Sequence, residues 1–205
     1  MSVTRVWIVG LFLLLGGCTH SGKEDIKPII SADTLDLKEG DLLFRKGQGF
    51  ESRMILLADP EGRSTHVGIL VDSCGYWMVI HAVPGEPDFP GDPDRVKMEA
   101  FCRFYGSDRA DEGEIMRQPD SIAALNAARI ALATYRQGVL FDNDFDEADT
   151  TRMYCTEFIN YVYMRAGVRL VGKERRRLNV PVYAGTYLFP SDIQASSKLS
   201  SIIRF

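Results

Sequence analysis

Residues 65–83 read THVGILVDSCGYWMVIHAV and contain two β-rich runs on either side of Asp72-Ser73-Cys74-Gly75. Those four residues are typical of a tight turn, so the stretch predicts a β-hairpin. His66 opens the first strand, and His81 lies near the end of the second. Residues that face each other in an antiparallel pair have Cβ atoms about 5 Å apart. The hairpin can therefore bring the two imidazoles together as neighbours.

Weaker patterns on both sides of the hairpin alternate strands with helices. Before it, a strand is expected over residues 41–46 and a helix from Phe50 to about residue 58. After it, four prolines within residues 84–93 predict an extended loop, and a strand over 114–117 precedes a helix that starts near Ser121. The apolar stripe of that helix is predicted to be Ile122, Leu125, Ala128, Leu132 and Tyr135.

A later helix carries a cysteine in its first turns. Its predicted inward face is Cys155, Phe158, Ile159, Val162 and Ala166, which recur at helical spacing. Thr150 or Thr151 is the expected cap, and Gly167 is the expected end. A helix N-terminus carries about half a positive charge, which favours a thiolate and predicts a lowered pKa for Cys155. The alternative is a buried, inert cysteine that fills a small apolar space.

The overall composition is that of an ordinary globular protein. Of 205 residues, 45% are hydrophobic, 25% charged and 10% aromatic, which fits one compact domain plus a small additional segment. The formal net charge is −4. A nucleic-acid-binding domain would need a net basic surface, so nucleic acid is not an expected partner.

The N-terminal segment predicts export and lipid anchoring. Arg5 precedes an apolar run over residues 6–15 that is too short to span a bilayer, so residues 1–17 are predicted to be a signal peptide. Leu15-Gly16-Gly17-Cys18 resembles the lipobox of bacterial lipoproteins, which predicts lipidation of Cys18 and attachment to a membrane of the cell envelope. Residues 18–36 are interpreted as a tether, and residues 37–205 as the domain. An uncleaved N-terminal anchor is the alternative.

Three cysteines remain beyond Cys18, an odd number in an oxidising compartment. Cys74 and Cys102 can form a disulfide that leaves Cys155 free, but the sequence does not establish the geometry. No Cys-x-x-Cys or His-x-x-x-His spacing supports a zinc site. Neither a metal nor a cofactor is therefore expected.

Five segments carry a resemblance to a known family: Gly40-Asp41-Leu42-Leu43-Phe44-Arg45, Ser64-Thr65-His66-Val67-Gly68-Ile69, Val79-Ile80-His81-Ala82, Phe141-Asp142-Asn143-Asp144-Phe145 and Tyr154-Cys155-Thr156-Glu157-Phe158. Together they resemble the YiiX-type permuted papain-like enzymes of the NlpC-type superfamily of cell-wall peptidases and amidases. The resemblance covers residues 37–205. It implies an α+β, circularly permuted papain-like fold in which a mostly antiparallel sheet packs against helices.

The resemblance also implies roles for three residues. Cys155 corresponds to the nucleophile, His66 to the general base and His81 to the third, orienting residue. Many YiiX-type sequences have Glu at the position of His81, whereas the lecithin retinol acyltransferase-like branch has His there. Glu86 is a weaker candidate for the third role, because Pro84 and Gly85 are expected to carry it off the strand.

The function that follows is thiol-dependent hydrolysis of an amide bond in a peptide-like component of the cell envelope. One alternative is a lipid-directed acyltransferase or thioesterase. His81 and the membrane tether support this alternative. A second is a non-catalytic module that binds its ligand in the same cleft. The expected partners are a peptide-like or acyl substrate and the membrane, and the sequence does not indicate an oligomeric state.

Overall fold

The computed structural model describes residues 26–149, 151–178 and 185–205. Within these ranges the strands are β1 Leu42–Gly47, β2 His66–Ser73, β3 Tyr76–Val83, β4 Arg95–Ala100, β5 Ala110–Arg117, β6 Leu140–Phe141, β7 Arg152–Met153, β8 Arg176–Leu178, β9 Gly185–Tyr187 and β10 Ser200–Arg204. The helices are α1 Phe50–Ala58, α2 Phe101–Phe104, α3 Ser121–Arg136, α4 Cys155–Arg165 and α5 Pro190–Gln194, with a 3-10 turn at Ala32–Thr34. The α+β class expected from the sequence is confirmed.

One mostly antiparallel sheet organises the domain. Its strand order is β10-β5-β1-β2-β3-β4-β6-β7, and only β6 and β7 pair in parallel. Strand side chains alternate between faces, so each strand feeds two cores. One face packs with α3 and α4 and includes Phe44, Ile69 and Ile80. The other face packs with α2 and includes Leu70 and Val79.

The predicted hairpin is present as β2 and β3. The last strand pair is Ser73 with Tyr76, and the two residues between them, Cys74 and Gly75, both have positive φ angles of 56° and 86°. Two consecutive positive φ values characterise the type I′ turn, whose twist matches that of antiparallel strands. The Asp72 carboxylate accepts a hydrogen bond from the Gly75 N–H at 2.7 Å. Cys74 at this turn and Cys102 in α2 are both exposed and free, so the disulfide considered above is not formed.

The start of α3 agrees with the sequence, and its buried face agrees in part. Asp120 caps the helix by accepting from the N–H groups of Ile122 and Ala123. Ile122, predicted to be buried, is 73% exposed. Ala128 is buried as predicted, and Leu132 and Tyr135 are partly buried against the core. The other buried residues of the helix are Ala123, Ala124, Ala127, Ala131 and Thr134. The small side chains let this helix lie close against the sheet and α4.

Helix α4 has the predicted inward face but a different beginning. Cys155, Phe158, Ile159 and Val162 are buried as expected. The N-cap is Tyr154 rather than Thr150 or Thr151. The backbone N–H of Tyr154 donates a hydrogen bond to a carboxyl oxygen of Glu157 at 3.3 Å. The short strand β7 occupies the two residues before Tyr154, which places Cys155 at the first helical position.

The predicted boundary at residue 37 needs correction. Residues 26–36, assigned to the tether, pack against the second core through Ile29, Ile30, Ala32 and Leu35. The Ile29 N–H also bonds the Tyr105 carbonyl at 2.8 Å. These residues belong to the folded unit because they bury apolar side chains in it. The predicted signal peptide, residues 1–17, and the predicted lipidation site, Cys18, lie outside the described residues. Within the described ranges, every helix falls short of the length and hydropathy that a membrane span requires.

Candidate active site

Two buried histidines form the centre of the site. Nε2 of His66 lies 2.7 Å from Nδ1 of His81, at hydrogen-bond distance. The strand register pairs Ile69 with Ile80, so His81 is opposite Gly68 and the two histidines are diagonal neighbours. A Cβ on Gly68 would lie 2.5 Å from Cγ1 of Val79 and 3.2 Å from Cβ of His81. The glycine therefore leaves the space that the His81 side chain occupies.

A carboxylate that the sequence analysis did not identify contacts His81 on the side away from His66. Oε1 of Glu99 lies 3.1 Å from Nε2 of His81. Glu99 is on β4, opposite Val79 of β3. His81 lies two residues after Val79 on β3, so its side chain is on the same face of the sheet as that of Glu99. Residues 95–100 alternate Arg-Val-Lys-Met-Glu-Ala, a period-2 pattern that could have identified both the strand and Glu99.

Two arginines surround Glu99. Nη1 of Arg109 lies 2.8 Å from Oε2 of Glu99, and Nη1 of Arg45 lies 3.9 Å from Oε1. Burial alone would raise the pKa of Glu99. The adjacent His81 ring and the charges of Arg109 and Arg45 outweigh burial and hold that pKa at about 2. Glu99 is therefore ionised at neutral pH.

Glu86 lies at the same site but contacts the arginines rather than a histidine. Its carboxylate accepts from Nη2 of Arg45 at 2.6 Å and also from Arg109. Arg45 donates in addition to the Phe104 carbonyl at 3.0 Å. Glu86 follows the end of β3, as the sequence indicated. Its contacts make it a support for Arg45, and the residue next to His81 is Glu99.

Both histidines are neutral at neutral pH. Burial lowers the pKa of His66 well below its ordinary value, and the charges of Arg45 and Arg109 lower it further. Burial also lowers the pKa of His81, against the opposing effect of Glu99. A neutral imidazole has one unprotonated nitrogen that can accept a proton.

Cys155 and His66 line the same pocket, which has a volume of about 420 Å³. Arg45, Gln48, Glu86 and Arg109 also line it. The backbone N–H of Val67, the residue after His66, lies close enough to the Cys155 sulfur to lower the pKa of the thiol. Helix α4 and the start of β2 therefore meet at the thiol, which lies next to the strand position that bears the candidate base.

The pKa of the thiol is opposite to the expectation from the helix N-terminus. Burial raises the pKa of Cys155 to about 11, although hydrogen bonds from the backbone N–H groups of Val67, Thr156 and Cys155 oppose the change. Only 8% of Cys155 is exposed, and loss of hydration disfavours the thiolate more than the helix favours it. Among the described residues, no hydrogen bond joins the sulfur to either imidazole. Catalytic contacts are often looser without substrate and tighten when it binds.

A second, apolar pocket of about 230 Å³ is also lined by Cys155. Its walls include Met54, Ile55, Phe141, Phe145, Leu188 and Phe189. Leu188 is fixed across the site, because its carbonyl accepts from Oγ1 of Thr156 at 2.6 Å and its N–H donates to the hydroxyl of Tyr154 at 3.3 Å. The thiol thus lies between a charged pocket and an apolar one.

Comparisons with known proteins agree with this fold. No family model and no curated protein matches the chain. Among solved structures, the chain is similar to the metalloprotein yiiX from Escherichia coli O157:H7, with a TM-score of 0.65 and 20% sequence identity. The match covers 83% of this chain and 99% of that one. The two proteins share a fold, and the resemblance of residues 37–205 to YiiX-type proteins is supported at that level.

Proposed function

We propose that the protein is a thiol-dependent hydrolase that cleaves an amide bond in a peptide-like cell-envelope component. The proposal rests on one observation above all: Cys155 at the start of α4 lines the same pocket as His66, and His66 is hydrogen-bonded to the buried His81. A nucleophile, a base and a group that orients the base are the three parts that such chemistry needs. The YiiX-like fold is consistent with this assignment.

The reaction begins with a neutral thiol and a neutral imidazole. Sγ of Cys155 attacks the amide carbonyl carbon while its proton passes to His66. Backbone N–H groups at the start of α4 stabilise the oxyanion. The C–N bond then breaks, the leaving amine takes the proton from His66, and a thioester remains on Cys155. His66 next removes a proton from water, which attacks the thioester, and the carboxylic acid leaves as the thiol is restored.

The structural neighbour is described as a metalloprotein, whereas the residues of this site do not suit a metal ion. Within the described residues, no group of three or more His, Cys, Asp or Glu side chains is placed to hold a metal ion. Both ring nitrogens of His81 face other side chains, His66 and Glu99. The positive charges of Arg45 and Arg109 lie beside the same carboxylate. These residues do not fit a metal ion, and the mechanism contains no metal-dependent step.

The apolar pocket favours a second candidate, a lipid-directed acyltransferase or thioesterase. Its walls offer almost no polar groups to a peptide, whereas an aliphatic acyl chain would bury apolar surface there. The thioester on Cys155 would be the same intermediate, and either water or an acceptor alcohol or amine would resolve it. The charged pocket would then hold the polar part of the substrate.

The location is also a proposal. We propose that residues 1–17 are removed as a signal peptide, that Cys18 is lipidated, and that the domain acts at a membrane of the cell envelope. A lipid anchor would keep the enzyme close to either kind of substrate.

Turnover assays separate the candidates. The full chain is assayed with peptide amides and with acyl esters of increasing chain length, beside the Cys155→Ala variant. The leading proposal predicts Cys155-dependent release of an amine from peptide amides. Preferential cleavage of long acyl esters would favour the second candidate. Ligand binding without any Cys155-dependent turnover would favour the non-catalytic module.

A further inference from the structure

We infer that Glu99 is a positioning residue that fixes the tautomers of His81 and His66 and thereby makes Nδ1 of His66 the base nitrogen. The inference rests on the proposed function for its catalytic consequence, but not for the tautomers themselves. It extends the site from three residues to four, in the order Cys155, His66, His81 and Glu99.

The first step concerns the proton on His81. An ionised carboxylate can only accept hydrogen bonds. Nε2 of His81 lies 3.1 Å from Oε1 of Glu99, although the two atoms are not aligned as a hydrogen bond. The negative charge at this distance attracts the ring proton, so the favourable arrangement has that proton on Nε2. A neutral His81 then has an unprotonated Nδ1, which is an acceptor.

The second step concerns the proton on His66, whose position follows from the tautomer of His81. Nδ1 of His81 faces Nε2 of His66 at 2.7 Å, and one of the two nitrogens must donate. Because Nδ1 of His81 is an acceptor, Nε2 of His66 carries the proton. The remaining nitrogen of His66, Nδ1, is therefore unprotonated and able to take the thiol proton. The reverse arrangement would place a proton on that nitrogen and leave His66 without a basic site.

The surroundings keep Glu99 as an acceptor. Arg109 donates to its second oxygen at 2.8 Å, and Arg45 lies 3.9 Å from the first. The other charges at this face are already paired: Glu86 with both arginines, and Lys97 with Asp88 at 2.6 Å. Glu99 is thus the carboxylate that remains for His81, and it also offsets the positive charge that develops when His66 accepts a proton.

The inference explains why the third position can be a histidine here. The resemblance noted above includes many sequences with Glu at the position of His81. In this chain the carboxylate instead lies one strand further away, on β4, and His81 connects it to His66. The proton on His66 is therefore held on Nε2, as it would be by a carboxylate in direct contact with that nitrogen.

The test reads the tautomers directly. The full chain is labelled with ¹⁵N-histidine, and long-range ¹H–¹⁵N spectra at pH 7.5 identify which ring nitrogen carries the proton, with His20→Ala and His66→Ala variants for assignment. Wild type is expected to show Nε2–H for both His66 and His81. Nδ1–H on His66 in the wild-type spectrum would overturn the inference, whether or not any variant folds.

Two variants sharpen the test. In Glu99→Gln, Arg109 can only donate, so the amide oxygen turns toward Arg109 and the NH₂ group toward His81. We expect both tautomers to reverse to Nδ1–H and kcat to fall about 100-fold, the lower range of a lost general base. Glu99→Asp keeps an acceptor and should retain Nε2–H on His66 with a smaller loss of kcat.

Glu86→Gln is the matched control, because it changes a carboxylate beside the same arginines that does not touch a histidine. Its tautomers should equal those of wild type. A Glu99→Gln spectrum that keeps Nε2–H on both rings with unchanged kcat would contradict the inference. Expected tautomers in a protein that hydrolyses neither peptide amides nor acyl esters would instead contradict the proposed function alone.

Discussion

His66 and His81 are hydrogen-bonded at 2.7 Å although the strand register places His81 opposite Gly68. The contact is therefore diagonal, and it depends on the missing side chain at Gly68. This relationship connects the geometry of the hairpin to the chemistry of the site. It also makes the arrangement sensitive to a change of a single methyl group.

Gly68→Ala should therefore disturb both stability and the site. The added Cβ would meet Val79 and His81 at distances that require a shift, and overpacking of this kind costs about 1–3 kcal/mol. Urea unfolding should show a loss of that size together with reduced turnover. Gly172→Ala is the control, since its Cβ would meet only the Glu174 nitrogen at 4.0 Å and should change stability by less than about 0.5 kcal/mol. Equal stabilities of the two variants would contradict the packing argument.

Alkylation of Cys155 should be slow in the substrate-free protein. The thiolate is the reactive form, and burial raises the pKa of Cys155 to about 11, whereas Cys74 and Cys102 are exposed. At pH 7, iodoacetamide should modify Cys74 and Cys102 first, as read by peptide mass spectrometry. The rate at Cys155 should rise about tenfold per pH unit between pH 8 and 10, following the thiolate fraction. Faster modification of Cys155 than of Cys74 at pH 7 would show that the pKa is lowered after all.

The activity should persist into mildly acidic solution. His66 must be neutral to accept the thiol proton, and its pKa is lowered well below 6.5 by burial and by Arg45, His81 and Arg109. The acid limb of the kcat/KM profile should therefore lie below pH 6.5. Arg109→Gln removes a positive charge that disfavours the imidazolium, so it should move the acid limb to higher pH. An acid limb above pH 7 in wild type would argue against His66 as a buried base.

Glu157 should make stability fall as the pH rises. Burial, with the nearby charges of Asp142, Glu147 and Asp149, raises its pKa to about 8. Between pH 4.5 and 8 the folded protein holds a proton that the unfolded chain releases, so the free energy of unfolding decreases as the pH increases. Glu157→Gln removes this dependence and should gain stability relative to wild type from pH 5 to 9 in urea unfolding.

Glu174→Gln serves as the control for that comparison, because Glu174 is exposed. Its unfolding free energy should follow that of wild type across the same pH range. If the unfolding free energy of Glu157→Gln has the same pH dependence as that of wild type, the pKa of Glu157 is not raised in the folded protein.

The apolar pocket can be tested by a substitution that changes polarity with little change in size. Met54 lines that pocket, so Met54→Gln should lower kcat/KM for long acyl esters about tenfold and leave short esters nearly unchanged, as for a weakened apolar contact. Met164→Gln is the control, because Met164 is half exposed on α4. An equal loss for short and long esters would argue against binding of the acyl chain in this pocket.

Much of the site could be predicted from local sequence. The hairpin follows from β-rich runs around Cys74 and Gly75, and it brings His66 and His81 together because both lie in paired strands. The inward position of Cys155 follows from helical spacing. Each of these features depends on residues close together in the chain, where periodicity is informative.

The remaining features depend on contacts between distant segments. Glu99 lies in a short strand, and its buried carboxylate is offset by Arg45, His81 and Arg109, which come from other elements. The fully buried positions of α3 are mostly alanines, which a search for large apolar residues overlooks. The raised pKa of Cys155 reflects burial by the whole domain, and a helix N-terminus considered alone predicts the opposite direction.

The central claim is that Cys155 forms a covalent acyl-enzyme with the help of His66. Intact-protein and peptide mass spectrometry after acid quenching of a reaction with peptide amides and acyl esters tests it most directly. We expect an acyl adduct on Cys155 in wild type, a strongly reduced rate of its formation in His66→Ala, and no adduct on Cys74 or Cys102. Substrate turnover that continues in Cys155→Ala, or an adduct that forms equally fast in His66→Ala, would contradict it.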